Sequence, residues 1–364
     1  MTYSDTVPEL GPADNDSQKS AQARFIACAA SGLLRHAVNP QYGGLGDSFQ
    51  ELNEAHAELG LRTRDPGLLL AINAHLWGVV FPLLRFGTEQ QKQAWLPGLL
   101  SGELIGGHAI TEPQAGSDID ALVTTAVAVN GGYRLQGNKR YITNTPLADV
   151  LVVYAREEGG ASLSAFMVRR DDQGVEFRNG PVVKGCATAT MGDVVLSGCK
   201  IPAERLLGKQ GAGAIMIQLA LEHERAFIFA GITGVMHWQL MHAIEYVRSR
   251  PAGSGYLAGV QAVTHRIADM QLRLDTTRLW VRECARLLDG GKRITLASAH
   301  AKLYASEAFL QSSLDTVHIL GATGLEDELP GLVHDAMAGR LFSGSSEIQK
   351  NIIAAMLGLG GRKS

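Results

Sequence analysis

The 364-residue chain is short of charge, of cysteine and of long apolar runs. Charged residues make up only 19%, and the formal net charge is −3. That leaves no dense basic face for neutralising phosphates, so nucleic acid is excluded as a partner. Four cysteines, Cys28, Cys186, Cys199 and Cys284, form no CxxC pair and no zinc-ligand spacing. They read as reduced or half-buried thiols, and no His/Cys cluster suggests a metal site. The amino end, MTYSDTVPELGPADNDSQKS, lacks the basic and apolar regions of a secretory signal. No apolar run reaches the roughly 18 to 20 residues of a membrane span; Leu68–Ile72 continues only into Asn73 and His75. The expectation is a cytoplasmic protein with no membrane partner.

What is present is apolar material and glycine. Hydrophobic residues reach 46%, enough for a sizeable core, and the length allows two or three domains of about 150 residues. The 42 glycines follow no three-residue period, which excludes collagen.

Residues 1–17 are polar and read as a loose arm. From there to residue 106 the apolar spacing is helical, as at Phe25, Ala29, Leu33 and Leu34. Further helices are expected over Phe49–Leu61, Leu68–Phe86 and Glu89–Leu100, the last capped by Thr88 with Pro97 near its end. Between 107 and 210 the pattern changes to short β-branched runs, with a hairpin signal at Asn130-Gly131-Gly132. From 211 to 364 the helical period returns in long stretches, Ala214–Arg248, Ala258–Asp289, Ile294–Leu320 and Ser346–Leu357, which implies a bundle.

Three motifs carry candidate chemistry. His108–Asp118 (HAITEPQAGSD) is a turn rich in small residues whose amides and hydroxyls suit an anion or a flat polar ligand; by composition alone it reads equally as a domain-boundary turn. Gly137–Asn144 (GNKRYITN) sits on a strand and its end. Gly344–Gln349 (GSSEIQ) precedes the last helix and also reads as a cap.

In this order and spacing, together with Lys184-Gly185, Ile201–Gly208, Gln261, Ile267–Met270 and Leu320-Gly321, these motifs resemble the acyl-CoA dehydrogenase family over nearly the whole chain. The resemblance implies a multidomain α and β fold: an N-terminal α-helical domain, a central β-barrel domain and a C-terminal four-helix bundle, assembled as a homotetramer or homodimer. It also implies non-covalent FAD. Ile110, Thr111 and Ser117 would line the flavin ring and pyrophosphate, with Tyr141 and Thr143 across the ring. Tyr141 replaces a common tryptophan, keeping an apolar platform. Arg250 and Gln261 match positions that reach the FAD of a neighbouring subunit. His318, Gly321, Ser345 and Glu347 match positions on its adenosine side. The substrate implied is an acyl thioester on CoA or on an acyl carrier protein, with an electron-transfer flavoprotein or another acceptor reoxidising the flavin.

The family chemistry requires a carboxylate that removes the α-proton while the β-hydrogen leaves as hydride, and donors aimed at the thioester oxygen. The commonest base, a glutamate before the C-terminal Gly-Thr, is Ser343 here, within Phe342-Ser343-Gly344-Ser345. A minority of the family, including isovaleryl- and long-chain-type enzymes, carries the base on the first long helix of the bundle, directly before an arginine. That helix reads Leu221-Glu222-His223-Glu224-Arg225-Ala226 here. By the resemblance Glu224 is the candidate base, and Arg225 the anchor for the substrate's pantetheine or nucleotide end. Glu222, about 200° around the helix, is expected to face away from Glu224's pocket. The backbone N–H of Ser343 remains a donor for the thioester oxygen, and Ser117, Phe342 and Gly344 would touch substrate.

Other departures are Gly253-Ser254 in place of Phe-Gly after Arg250, Ala322 for a common glycine, and His108 where an aromatic residue is frequent. His108 reads as a packing or hydrogen-bonding residue. The departures also admit a carrier-protein-linked enzyme of secondary metabolism oxidising an unusual unit such as a hydroxyacyl extender, a flavin oxidase or monooxygenase, or a non-catalytic flavoprotein.

Overall fold

A computed structural model describes Leu10 and residues 18–160, 162–326 and 328–359; the arm at 1–17, Leu10 apart, lies outside the described residues. The N-terminal helices are α1 (Gln18–Ala30), α2 (Phe49–Thr63), α3 (Pro66–His75), α4 (Phe81–Phe86) and α5 (Glu89–Ser101). Ser48 with Glu51 and Thr88 with Gln91 form capping boxes on α2 and α5, which satisfy otherwise orphaned first-turn amides. Eight strands follow: β1 (Gly106–Ala109), β2 (Thr125–Val129), β3 (Gly132–Thr143), β4 (Val150–Glu157), β5 (Leu163–Arg169), β6 (Val175–Asn179), β7 (Met191–Pro202) and β8 (Leu206–Leu207). They form one mixed sheet in the order β6-β7-β3-β2-β4-β5-β8, with β1 parallel to β4. The long helices are α6 (Gly213–Ser249), α7 (Gln261–Asp289) and α8 (Thr295–Leu320), followed by α9 (Leu329–Gly339) and α10 (Ser346–Met356). A short hairpin, β9 (Pro251–Ala252) and β10 (Gly255–Tyr256), joins α6 to α7.

Two elements escape the periodicity. Helix α9 is short and starts with Pro330 in its first turn, a position that suits proline's fixed φ; Leu329, Leu332 and Ala336 bury its inner face. Strand β1 contains two glycines, which ordinarily weaken a strand. Here glycine is required: a Cβ on Gly106 would lie 2.7 Å from Val79 Cγ1 and 3.0 Å from the Val150 carbonyl.

The expectation that no apolar run is long enough to span a membrane needs correction. Pro66–Phe86 is helical over 21 residues, with mean hydropathy 1.8, but 89% of its apolar window is buried in the protein. Asn73 and His75, the residues that broke the run in sequence, are bonded inside the core. Asn73 Nδ2 donates to Leu69 O and its Oδ1 accepts from Trp77 Nε1. His75 Nδ1 accepts from Gly106 N, and its Nε2 faces Leu99 O at 3.0 Å. Burial lowers the His75 imidazole to about 4, so it stays neutral. Helix α6 passes the same length test with 72% of its window buried. Both are core helices. All four cysteines are free, as expected of reduced thiols, and buried rather than half-buried.

The N-terminal helices and the bundle share one apolar core, in which Phe25, Leu59 and Leu69 pack together with Phe227, Ile232 and Phe309. Part of the glycine excess serves this junction. A Cβ on Gly60 would lie 1.9 Å from Gly231 O, and one on Gly234 1.9 Å from Ala57 O, so α2 and α6 cross backbone to backbone. Gly60→Ala or Gly234→Ala must force these helices apart and is expected to cost about 1–3 kcal/mol or more in chemical denaturation. Gly259→Ala, with nothing within 4 Å of the new methyl, is expected to stay within about 0.5 kcal/mol.

Candidate active site

The site is assembled from three chain segments far apart in sequence. The first is the loop after β1. Lys139, fully buried on β3, donates to Ile110 O (3.1 Å) and to Glu112 Oε1 (2.8 Å). The Glu112 carboxylate also accepts from Val123 N (2.7 Å) and Thr124 N (3.0 Å). Burial raises the Glu112 carboxyl, but the Lys139 charge and these donors outweigh it and hold it at about 2. Burial lowers Lys139 to about 8 against the pull of Glu112, which leaves both groups charged at neutral pH. The buried pair fixes the loop carrying Ile110, Thr111 and Ser117.

The second segment is the end of β3. Its pairing with β7 shifts register between Lys139 and Ile142, a bulge at which Arg140 and Tyr141 stand against Asp193. Tyr141 sits there at φ +56, in the left-handed region, with Arg140's guanidinium 5.0 Å from its ring. A bulge bends the strand and re-aims a side chain. It turns the half-exposed Tyr141 ring onto the cavity beside Thr143.

The third is α6 with the loop before α10. Ser343 and Gly344 both have positive φ, +52 and +88. Arg225, buried on α6, donates from Nε to Ser343 O at 2.8 Å, and Gln349 Nε2 donates to Gly344 O at 2.8 Å. A Cβ on Gly344 would meet Gln349 Nε2 at 3.0 Å, so glycine is needed there. The Phe342 ring packs at 6.0 Å from Phe229.

These segments enclose a cavity of about 1020 Å³, at the large end for small-molecule sites. It is bordered by Ile110, Thr111, Ser117, Tyr141 and Thr143 on the sheet side, and by Glu224, Arg225, Phe342, Ser343 and Gly344 on the helical side. Glu224 is only 4% exposed, and no hydrogen bond reaches its Oε2 among the described residues. Glu222 also borders the cavity, contrary to expectation. At about 100° per residue the lining positions of α6 span roughly half the helix, with Glu224 at one edge and Glu222 beside Ile215 near the other. The cavity is broad enough to touch both. The two differ in partners: Glu222 Oε1 accepts from Thr295 Oγ1 (2.7 Å) and Gln218 Nε2 (3.0 Å).

Other expected positions lie outside the cavity lining. Ser345 occupies the N-cap of α10 without a side-chain capping bond; its hydroxyl bonds Glu347, which lowers that exposed carboxyl. Arg250 ends α6 and Gln261 begins α7, both exposed. Gly253-Ser254 between them is the tip of the β9–β10 hairpin, with Gly253 at φ +58. His318 and Gly321 are exposed at the end of α8, where Gly321 has φ +64. Arg225, by contrast, read as the anchor for the substrate's pantetheine or nucleotide end, borders the cavity with its Nε turned to Ser343 O.

Sequence reasoning missed the pairing of Lys139 with Glu112 and the placement of His108, read as a packing or hydrogen-bonding residue, 3.4 Å from Glu224. All three stood inside recognised motifs. Their role was hidden because a buried ion pair has no local signature.

A helical–sheet–helical scaffold encloses a large cavity, with hydroxyls and an aromatic ring on one wall and a buried carboxylate on the other, an arrangement suited to a flat ligand and to proton transfer. Three family profiles cover the chain: acyl-CoA dehydrogenase, N-terminal domain, over 5–103, middle domain over 107–199, and C-terminal domain over 211–358. The chain belongs to the acyl-CoA dehydrogenase family. An L-prolyl-[peptidyl-carrier protein] dehydrogenase of Pseudomonas fluorescens is 36% identical over 359 residues, covering 96% of this chain and 94% of that one. An acyl-CoA dehydrogenase of Bacillus subtilis is 31% identical, covering 97% and 94%. The solved structure of PigA with FAD and proline superposes with a TM-score of 0.91 at 31% identity, covering 99% of this chain and 96% of that one.

Proposed function

We propose that this protein dehydrogenates an aminoacyl or acyl thioester carried on a carrier protein, with an L-prolyl thioester the first candidate and Glu224 the base. The observation that carries the reading is the buried, unbonded Glu224 Oε2 on the cavity wall, in a chain whose usual glutamate position holds Ser343. The identity to prolyl-carrier-protein dehydrogenases from two organisms, 36% and 34%, supports the substrate class.

The residues present suit FAD: the Tyr141 ring and the hydroxyls of Thr111, Ser117 and Thr143 share one wall of a cavity with room for a ring system and a substrate group. Bound FAD supplies the hydride acceptor. Glu224 takes the α-proton, breaking the Cα–H bond and forming an O–H bond on its carboxylate. The Ser343 amide is assigned to the thioester oxygen as charge develops there. Arg225 holds the Ser343 carbonyl and so orients that amide, while Phe342 and Gly344 shape the substrate wall. Arg250 and Gln261 are assigned to FAD across a subunit boundary in a homo-oligomer, and His318, Gly321, Ser345 and Glu347 to the adenosine side of FAD. An electron-transfer flavoprotein is assigned as acceptor, and the location as cytoplasmic.

The test is anaerobic bleaching of the bound flavin by L-prolyl-carrier protein and a series of acyl-carrier-protein and acyl-CoA thioesters. Reduction is expected with carrier-protein thioesters and fastest with prolyl. Equal or faster reduction by acyl-CoA overturns the carrier assignment, and no reduction by any thioester overturns the dehydrogenase reading.

A further inference from the structure

The part of the site that the family resemblance leaves unexplained is His108. Its Nε2 lies 3.4 Å from Glu224 Oε2, a contact longer than a formed hydrogen bond, and its side chain is nearly as buried as the carboxylate. His108 Nδ1 is also buried and has no partner among the described residues. Only Nε2 faces an acceptor, so an N–H there points toward the carboxylate.

The surrounding fold holds this pair at its distance. Between α3 and α4 the helix makes one π-helical turn, Leu76–Val80, of the kind that recurs at functional sites. Gly78 in that turn lies against His108: a Cβ there would meet His108 N at 2.8 Å and the ring's Cγ at 3.1 Å. The preceding residue, Trp77, packs on α6, 5.1 Å from His223 and 4.9 Å from Phe227 between ring centroids. One turn of helix therefore touches both the strand bearing His108 and the helix bearing Glu224. A histidine placed for packing alone needs no such brace and would not face a buried carboxylate oxygen that lacks a hydrogen bond.

We propose that His108 is a positioning residue for Glu224, whose Nε2–H holds the carboxylate toward the substrate. The proposal rests on Glu224 being the base. The long contact fits a ligand-free site, where catalytic hydrogen bonds tighten only once substrate is bound.

The other titratable groups around the pair have separate engagements. On α6, Glu222 is tied to Thr295, Arg225 is turned to Ser343 O, and His223 is bonded through Nδ1 to Leu219 O. On α8, Lys302 donates to Arg340 O. On α3, His75 bonds Leu99 and Gly106. His334 on α9 and Tyr141 on β3 border the same cavity.

The experiment compares His108→Phe, which keeps a ring without a donor, with His108→Gln, whose amide restores one, and with Glu224→Gln. Each is read as FAD-loaded enzyme by anaerobic flavin reduction, using the fastest thioester of the series above. The Phe variant is expected to reduce about ten- to hundredfold more slowly at neutral pH, the loss of a hydrogen bond to a charged group. The Gln variant should recover the rate to within about threefold.

A Phe variant that matches wild type in rate, with Glu224→Gln still slow, overturns this inference alone. A Phe variant that is slow and is not rescued by Gln shows packing only and also overturns it. A fast Glu224→Gln removes the base reading and this inference with it. Should His108→Phe fail to hold FAD, His108→Met, similar in reach and without a donor, is read in its place.

Discussion

Glu224→Gln is expected to leave a folded protein that binds FAD and thioester, while flavin reduction slows by about 10²–10⁴. The amide matches the carboxylate in shape, so the wall of the cavity is preserved, but it cannot take a proton from carbon. The size of the effect depends on whether another base stands nearby. Glu222 borders the same cavity, yet its Oε1 is occupied by Thr295 and Gln218, with Arg293 at 3.4 Å, and it sits near the opposite edge of the lining face. Ser343, at the position where the family most often has glutamate, offers only a hydroxyl. Glu222→Gln is therefore expected to stay within a few-fold of wild type in the same stopped-flow measurement. Equal rates for wild type and Glu224→Gln would remove the assignment.

Lys139→Met should be the most damaging single change to stability. It leaves the Glu112 carboxylate buried with its charge uncompensated, for which about 3–5 kcal/mol is the expected loss. The loop carrying Ile110, Thr111 and Ser117 also loses its tether at Ile110 O, so FAD retention should fall with it. The pH dependence has a definite sign. In the native protein Glu112 is held at about 2, below its ordinary 4.5, so its contribution is complete above pH 4.5 and is lost as pH falls toward 2. Without Lys139, burial raises the same carboxyl above its ordinary value. Lowering pH then protonates it and relieves the penalty. Denaturation curves for the two proteins should therefore converge as pH drops from about 6 to about 3. Restoring neutrality with Lys139→Met/Glu112→Gln should recover part of the loss at pH 7, since the amide oxygen still accepts from Val123 and Thr124. A gap that does not narrow in acid would argue that Lys139 matters for packing rather than charge.

Much of the architecture was legible in the chain because its signals are local. The hairpin at Asn130-Gly131-Gly132 is written in turn residues, and Gly131 does take φ +80. Thr88 announced the start of α5, and the 3.6-residue period located α6, α7, α8 and α10 to within a few residues. The motif residues Ile110, Thr111, Ser117, Tyr141 and Thr143 do meet on one wall. Local pattern fails where a residue's neighbours come from elsewhere. Asn73 and His75 looked like breaks in an apolar run: Asn73 is satisfied within its own helical stretch by Leu69 and Trp77, but His75 is satisfied by the remote Leu99 and Gly106. Angular arithmetic on α6 separated Glu222 from Glu224 correctly, but the breadth of the cavity, set by the sheet and α9, decides that both touch it.

The sequence by itself determined the order of elements, their caps and turns, and which residue types were available for proton transfer and for a flat ligand. Each of those follows from backbone preferences and hydrogen bonds spanning a few residues. Only the tertiary structure decided that Glu224 faces a cavity with Oε2 unbonded, that Arg225 turns to the Ser343 loop, that a β-bulge presents Tyr141, and that Gly78 and Trp77 set His108 beside the carboxylate. Those are distances between segments remote in the chain. They are fixed by close packing and by the need to pair buried polar groups, which no stretch of sequence expresses alone.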